Sequence, residues 1–396
     1  MTGSFKGADN ILKVVTQGIR PIYIKPYREK KVWGVQGIGE YWYGAEKGEK
    51  SSVAQIENDE FPMDKLMERA AKELVGEKVI DKFGKMLPLT KILTPNNRLS
   101  VQFHDSKNEL WVVTGINKDI SGNSPYIILG FNAAFVEKYG NNITSAYHRA
   151  LEKYGDRLNM LIDKLEEKGH KDILTAEKNA VKAAKIVKGK SGDIRGLLDE
   201  VLSSADQLNA FYNKRIVEIG DVIPVPSGTL HALGRGIQVL EPQIPGPTQS
   251  MEDGATYPVR YAFPGHNRGT ASKLLDLDRV NEITPEVVKD AAGDVIEDTG
   301  SVKVEKLPGG FENKGMEVRR ITLEKGSELM ITDSKSDHLL AIVNNEGSAV
   351  LIVNNKEYTI NKADPGESLM LVPASIRNFK VQAWEKTQIV DTFTPV

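Results

Sequence analysis

The chain has 396 residues, of which 40% are hydrophobic and 27% charged, and its formal net charge is -2. That length supports two or three compact units, each with its own core, and the near-balanced charge offers no electrostatic pull toward nucleic acid or an anionic membrane. Cysteine is absent, which excludes disulfides, thiolate metal ligands and a cysteine nucleophile and suits a reducing cytoplasm.

The first ten residues are polar and lack the apolar core of a secretory signal, and no stretch has the apolar length of a membrane span. A cytoplasmic chain without membrane contact is expected. Residues 22–24 and 32–35 read as short strands, and Glu40-Tyr-Trp-Tyr-Gly-Ala45 as an aromatic strand running into a loop. Pro62 opens a helix with Leu66, Met67, Ala70 and Leu74 at helical spacing. Residues 91–94 form another short strand.

The next stretch carries chemistry. In an extended strand Ser100, Gln102 and His104 share one face and Leu99, Val101 and Phe103 the other. Asp105-Ser-Lys-Asn108 is rich in turn formers, so a hairpin should set Glu109, at the head of Leu110-Trp-Val-Val113, beside His104. About a hundred residues on, Gly220-Asp-Val-Ile-Pro-Val-Pro-Ser-Gly-Thr-Leu-His231 supplies a second imidazole along a path fixed by Pro and Gly. Each residue alone has a plainer explanation, as a satisfied core histidine or a hairpin charge. The joint pattern, Q-x-H-x4-E-x5-G followed by G-x5-P-x-G-x2-H, outweighs it and resembles the two cupin motifs, with Gln102 where the first His of H-x-H usually stands. Gln102, His104, Glu109 and His231 then give two nitrogen and two oxygen ligands for one divalent metal. Such a set suits zinc, and equally iron, manganese, nickel or cobalt.

From 131 to about 215 the period becomes helical, with a stripe of Leu151, Tyr154, Leu158, Leu161, Ile162 and Leu165. Further helices are expected over 175–187 and 194–212, with His148 and His170 as surface or packing residues. A strand over 236–241 leads into a Pro/Gly-rich loop over 242–269, a candidate substrate loop that holds His266. Strands are expected over 302–305, 317–323, 339–344, 349–353, 368–372 and 388–393, with turns such as Asn354-Asn355. Gly366-Glu-Ser-Leu-Met-Leu-Val-Pro373 echoes the second motif, but Arg377 stands where a ligand would be, and His338 has no evident partner nearby in sequence. The fold expected is mainly β with a helical insert. It is a bicupin of two β-barrel (jelly-roll) domains plus an α-helical domain: a discontinuous metal-binding cupin over 15–130 and 214–275, the helical insert over 131–213, and a metal-free cupin over 300–396.

The combination resembles the type I phosphomannose isomerases. Glu40-Tyr-Trp-Tyr-Gly-Ala-Glu-Lys-Gly-Glu-Lys-Ser-Ser-Val53 is similar to the family's E-L-W-x-G-A-H segment with its Ser run, and Val32-Trp-Gly34 to its upstream W-G. Leu99-Ser-Val-Gln-Phe-His104 is similar to L-S-I-Q-V-H, Lys107-Asn-Glu109 to K-P-E, and Val225 to Gly236 with Val239-Leu-Glu241 to V-P-A-G-x-x-H-A-x-x-x-G and L-E. The resemblance implies zinc ligation by Gln102, His104, Glu109 and His231, and places Ser100 and Lys107 in the substrate pocket. It makes Arg260, in Asp253-Gly-Ala-Thr-Tyr-Pro-Val-Arg260, the best equivalent of the family's catalytic Arg. Trp33 and Trp42 are candidate walls of the pocket, although an aromatic in a β segment is usually core. Two departures stand out. Only Asp105 and Ser106 separate Q-F-H from K-N-E, and the segment ending at Arg260 is longer than the family's S-D-x-T-x-R.

The implied reaction moves a proton between C1 and C2 of a phosphorylated sugar, mannose 6-phosphate first, through an enediol. Lys107 would be the general acid/base and Arg260 the partner of the enediolate, with the phosphate held by Arg260, Arg268 or a lysine. The rivals are a sugar-phosphate-binding bicupin without turnover and an iron cupin oxygenase. The expected state is a monomer or homodimer with a sugar-phosphate partner and no nucleic acid.

Overall fold

Ile22 and Ile24 are buried while Tyr23 and Lys25 are not, the period of a half-buried strand. That strand, Ile22–Lys25, pairs antiparallel with Val53–Ile56 on one side and with Leu369–Val372, from the far end of the chain, on the other. The computed structural model describes residues 7–104, 108–177, 180–187, 192–244, 259–263, 292–309, 311, 314–344 and 346–396. It is mainly β with one helical region. Among these residues the strands form sheets of nine, six, five and four.

The six-stranded sheet contains Tyr27–Val35, Ile38–Tyr43, Leu89–Leu93, Glu109–Ile116, Val222–Val225 and Ile237–Gln243. The five-stranded sheet contains Val101–His104, Tyr126–Phe131, Tyr212–Ile216, His231–Ala232 and Val259–Phe263. One hydrophobic cluster joins them: Val101, Phe103, Ile128 and Leu129 from one sheet pack with Leu93, Trp111, Val113 and Val239 from the other.

The helical region enters and leaves through an antiparallel pair, Tyr126–Phe131 with Tyr212–Ile216, in which Phe131 faces Tyr212. Ile143–Glu167 buries Leu151, Tyr154, Leu158, Leu161 and Leu165 as the stripe predicts, and packs against Gly192–Asn209. The helix expected to reach Tyr212 ends at Asn209 instead. Leu208, Phe211 and Tyr212 are all buried, so their apolar run satisfies either period. The Tyr212 hydroxyl lies 2.9 Å from that of Tyr147, which ties the strand to the helix.

The nine-stranded sheet is a shared wall. Leu339, Leu369, Leu371 and Val390 face a cluster that includes the helices Ala8–Thr16 and Met63–Val75. Their sequence neighbours Leu340, Met370, Val372 and Ile389 face the other core, closed by the four-stranded sheet. Alternation along each strand feeds two cores at once, so these strands read as continuous apolar runs.

Two further local expectations are corrected, and one turn is found as expected. The polar start contains the amphipathic helix Ala8–Thr16, which buries Ile11, Val14 and Val15. The loop expected over 242–269 contains the end of Ile237–Gln243 and the strand Val259–Phe263; residues 245–258 and 264–269, with His266 and Arg268, lie outside the described residues. Asn354 and Asn355 do turn the chain between Ala349–Val353 and Lys356–Thr359. Both have positive φ (51° and 60°), as a two-residue type I′ hairpin requires.

Candidate metal centre

His231 stands directly opposite Gln102 in the antiparallel pairing of His231–Ala232 with Val101–His104. Opposed residues share a face, and so do residues two apart, so this register aims Gln102, His104 and His231 into one space. Glu109 arrives differently from expectation. Val101–His104 and Glu109–Ile116 are not the arms of one hairpin. The first pairs with His231–Ala232 and Val259–Phe263, and the second, in the other sheet, with Val222–Val225 and Ile237–Gln243. The chain crosses between sheets, and Glu109 meets His104 across the gap.

The contact is close. Glu109 Oε1 is 3.1 Å from His104 Nε2, and Glu109 Oε2 is 3.9 Å from His231 Nε2. One ligand atom from each of His104, Glu109 and His231 lies within 4.8 Å of the others, and all three residues are buried. Among the described residues this is the cluster able to hold a metal ion. Gln102 adds its amide, 3.3 Å from His231 Nε2.

These residues fit a divalent cation. His231 Nδ1 is 2.7 Å from the Thr229 carbonyl oxygen, which can only accept, so Nδ1 carries the proton and Nε2 presents its lone pair to the cluster. Trp111 packs edge-on to the same imidazole, with centroids 5.6 Å apart. A half-turn of the Gln102 amide about its terminal bond turns its oxygen, a lone-pair donor, toward the cluster. The resulting donor set, two imidazole nitrogens, a carboxylate and an amide oxygen, is one that zinc and its neighbours accept.

A second row of charge adjoins the cluster. Trp42, Lys91 and Glu241 lie opposite one another across three neighbouring strands. Lys91 Nζ is 3.8 Å from Glu40, 3.8 Å from Glu241 and 4.8 Å from the centre of the Trp42 ring. The Trp111 indole N–H donates to both Glu109 (3.2 Å) and Glu241 (3.1 Å), joining the row to the proposed ligands. Burial pushes the Glu40 carboxyl up, but Lys91, Lys31 and the Trp42 N–H outweigh it and hold the group below its ordinary value. Glu46 is moved the other way, raised by burial that Lys91 and Lys50 only partly offset. Lys91 and Glu241 escaped the sequence reading because each lies on a strand of mixed pattern, and only register reveals them as partners. Lys91 one residue before the apolar Ile92-Leu93 pair is the local signal that was available.

The other expected site residues are distributed unevenly. Ser100 is buried just ahead of Val101–His104. Trp33 is buried and packs in the cluster that holds Leu93, Trp111 and Val239. Lys107 lies outside the described residues. Arg260 is placed by its backbone, opposite Phe103 in the strand Val259–Phe263, next to the Val259 and His104 pair. His148 lies on the helix Ile143–Glu167, its Nδ1 3.7 Å from Glu152 Oε2 one helical turn on. Arg377, expected from the sequence to stand where a ligand of a second motif would be, pairs with Asp333.

Residues 27–117 match the family described as the phosphomannose isomerase type I catalytic domain. No curated protein matches the chain in sequence. The fold is similar to that of the mannose 6-phosphate isomerase of Bacillus subtilis, with a TM-score of 0.59 and 17% identity over 94% of this chain and 99% of that one. It is also similar to a variant of the phosphomannose isomerase of Salmonella typhimurium, with a TM-score of 0.63 and 15% identity over 95% of this chain and 100% of that one.

Proposed function

We propose, from the match of residues 27–117 to the type I phosphomannose isomerase catalytic domain and the geometry of the site, that the protein is a metal-dependent aldose-ketose isomerase of a sugar phosphate, with mannose 6-phosphate and fructose 6-phosphate as the first pair. The observation that carries the reading is the convergence of His104, Glu109 and His231, with the Gln102 amide, on one buried point. Zinc is the metal of choice for this donor set. The two β units are read as cupin barrels: a discontinuous one over 15–130 and 214–275 holding the metal, and one over 300–396 without it, with 131–213 as a helical insert. A cytoplasmic monomer or homodimer fits a cysteine-free chain with no helix among the described residues long and apolar enough to cross a membrane.

When bound, a divalent metal supplies Lewis-acid stabilisation of negative charge developing on the sugar's O1 and O2. The residues around it divide the remaining work. Gln102, His104, Glu109 and His231 hold the ion, and the Thr229 carbonyl and the Trp111 N–H keep His231 and Glu109 in place. Lys91, flanked by Glu40 and Glu241, offers a fixed ammonium to a sugar hydroxyl or phosphate oxygen. Lys107 is assigned the proton transfer at C1 and C2, Arg260 the enediolate, and Ser100 and Trp33 the pocket wall. The phosphorylated sugar is the partner expected.

A coupled assay of the zinc-loaded protein on mannose 6-phosphate, extended to other aldose and ketose phosphates, tests the reading. Interconversion lost in Lys107→Ala and Arg260→Ala is the expected result. Binding without interconversion of any pair would replace it with a sugar-phosphate-binding protein.

A further inference from the structure

The C-terminal β unit contains a second polar cluster, remote from the metal ligands. The strands His338–Ile342 and Thr387–Phe393 run antiparallel with His338 opposite Phe393. Asp391, two residues before Phe393, therefore shares the face of His338. Both of its oxygens lie within hydrogen-bond reach of His338 Nδ1, at 3.0 and 3.1 Å. On the other side of the ring, His338 Nε2 is 2.8 Å from the hydroxyl of Ser334, in the loop that leads into the strand. Asp391 and His338 are buried, and Ser334 is partly exposed at the rim.

The chemistry of the three groups fixes the proton positions. A carboxylate only accepts, so the ring proton facing Asp391 sits on Nδ1, and in that tautomer the Nε2 lone pair faces the serine. The serine hydroxyl then donates to Nε2, a shorter contact than its 3.2 Å approach to the Ser336 carbonyl. Nearby Asp337 is fully buried, and burial, partly relieved by a backbone hydrogen bond and reinforced by the charge of Asp391, holds its carboxyl well above the ordinary range.

The ring and the serine are both held. Phe393 stacks on the imidazole at 5.0 Å between centroids, and Phe379 meets it edge-on at 5.3 Å. The Ser334 N–H donates to the Arg377 carbonyl (2.9 Å), and the Asp333 N–H to the Asn378 side chain (3.0 Å). Nothing in the sugar-phosphate chemistry proposed above uses this constellation. A serine, an imidazole and a carboxylate in this order are a nucleophile, its base and the group that orients the base.

We propose that Ser334, His338 and Asp391 form an acyl-transfer relay at the rim of the C-terminal β unit, acting on small carboxylic esters. Ser334 Oγ bonds to the ester carbonyl carbon as its proton passes to His338 Nε2. The bond from carbonyl carbon to alcohol oxygen breaks, and the alcohol leaves with that proton. Water then adds to the acyl-serine, giving a proton to Nε2, and the carboxylic acid departs as Ser334 regains it. The balance is ester plus water to acid plus alcohol, with no redox change.

The test is labelling of the intact protein with a fluorophosphonate probe, with the adduct located by peptide mass spectrometry, alongside hydrolysis of p-nitrophenyl acetate. One adduct per chain on Ser334 is expected, absent in Ser334→Ala. Asp391→Asn should slow labelling and hydrolysis by at least ~100-fold, since it favours the wrong tautomer. Ser334 lies at the rim, so Ser334→Ala keeps the fold and decides the site even if the buried variant does not fold. A folded protein whose Ser334 takes no label overturns the proposal. So does labelling of a folded Asp391→Asn variant at the wild-type rate.

Discussion

Gln102 and His231, 129 residues apart in the chain, are antiparallel partners, and the Gln102 amide stands 3.3 Å from His231 Nε2. The whole candidate metal centre hangs on that register. A slip of one residue would turn Gln102 and His104 into the wall and Val101 and Phe103 into the cavity.

His231→Ala should therefore remove a ligand without disturbing the strand. Metal analysis of the purified protein is expected to give one divalent ion per chain for wild type and at least ~100-fold weaker binding for the variant, beyond the 10–100-fold typical of supporting residues. Chelation of the wild type should lower its melting temperature, because an ion at a hundred times its dissociation constant contributes about 2.7 kcal/mol. An unchanged melting curve on chelation would remove the ion from this site.

Trp111→Phe keeps the ring packed on His231 and deletes the N–H shared by Glu109 and Glu241. Leaving two buried carboxylates short of a donor should cost about 1–3 kcal/mol in urea unfolding. Metal affinity should fall by roughly 10–100-fold, as for other groups that orient a ligand.

Lys91→Met tests the charge row. Glu40 is held below its ordinary value, so it contributes stability that is present above the unfolded glutamate pKa and lost as pH falls through its depressed folded pKa. Without Lys91 the burial that opposes this shift is left less compensated. The variant should lose about 3 kcal/mol at neutral pH, at the low end for a broken buried pair because the contacts are long. It should also lose less further stability on acidification. Urea midpoints between acidic and neutral pH read both effects.

Asp337 works in the opposite sense. Its folded pKa is raised, so the native state holds a proton that the unfolded chain releases, and stability falls as pH rises from the unfolded to the folded value. The slope is about 1.4 kcal/mol per pH unit for one proton. Asp337→Asn should abolish that slope and be more stable than wild type at neutral pH. An Asp337→Asn curve parallel to wild type would show that the group is ionised in the folded protein.

At the hairpin, Asn355→Val places a β-branched residue at φ 60° and should cost about 1–2 kcal/mol, whereas Asn355→Gly should be neutral. Thermal unfolding of the two variants checks the turn.

Much of the centre was legible in the chain. The face shared by Gln102 and His104 follows from alternation over four residues, and His231 follows from Pro226 and Gly228, which leave few paths for the backbone. The helical stripe from Leu151 to Leu165 was equally local. The hairpin expected between His104 and Glu109 was not there, because turn-forming residues mark a change of direction and not the sheet in which the next strand pairs. Trp42, Lys91 and Glu241 became neighbours only through two strand registers, and Ser334, His338 and Asp391 only through a third.

The sequence by itself determined which face of each segment is apolar, where the chain can turn, and which side chains can bind a metal, since period, turn chemistry and ligand type are properties of a few adjacent residues. Only the tertiary structure decided which strands are partners and in what register. Those choices are made by packing two cores on the shared nine-stranded wall, a balance over the whole molecule that no short segment carries.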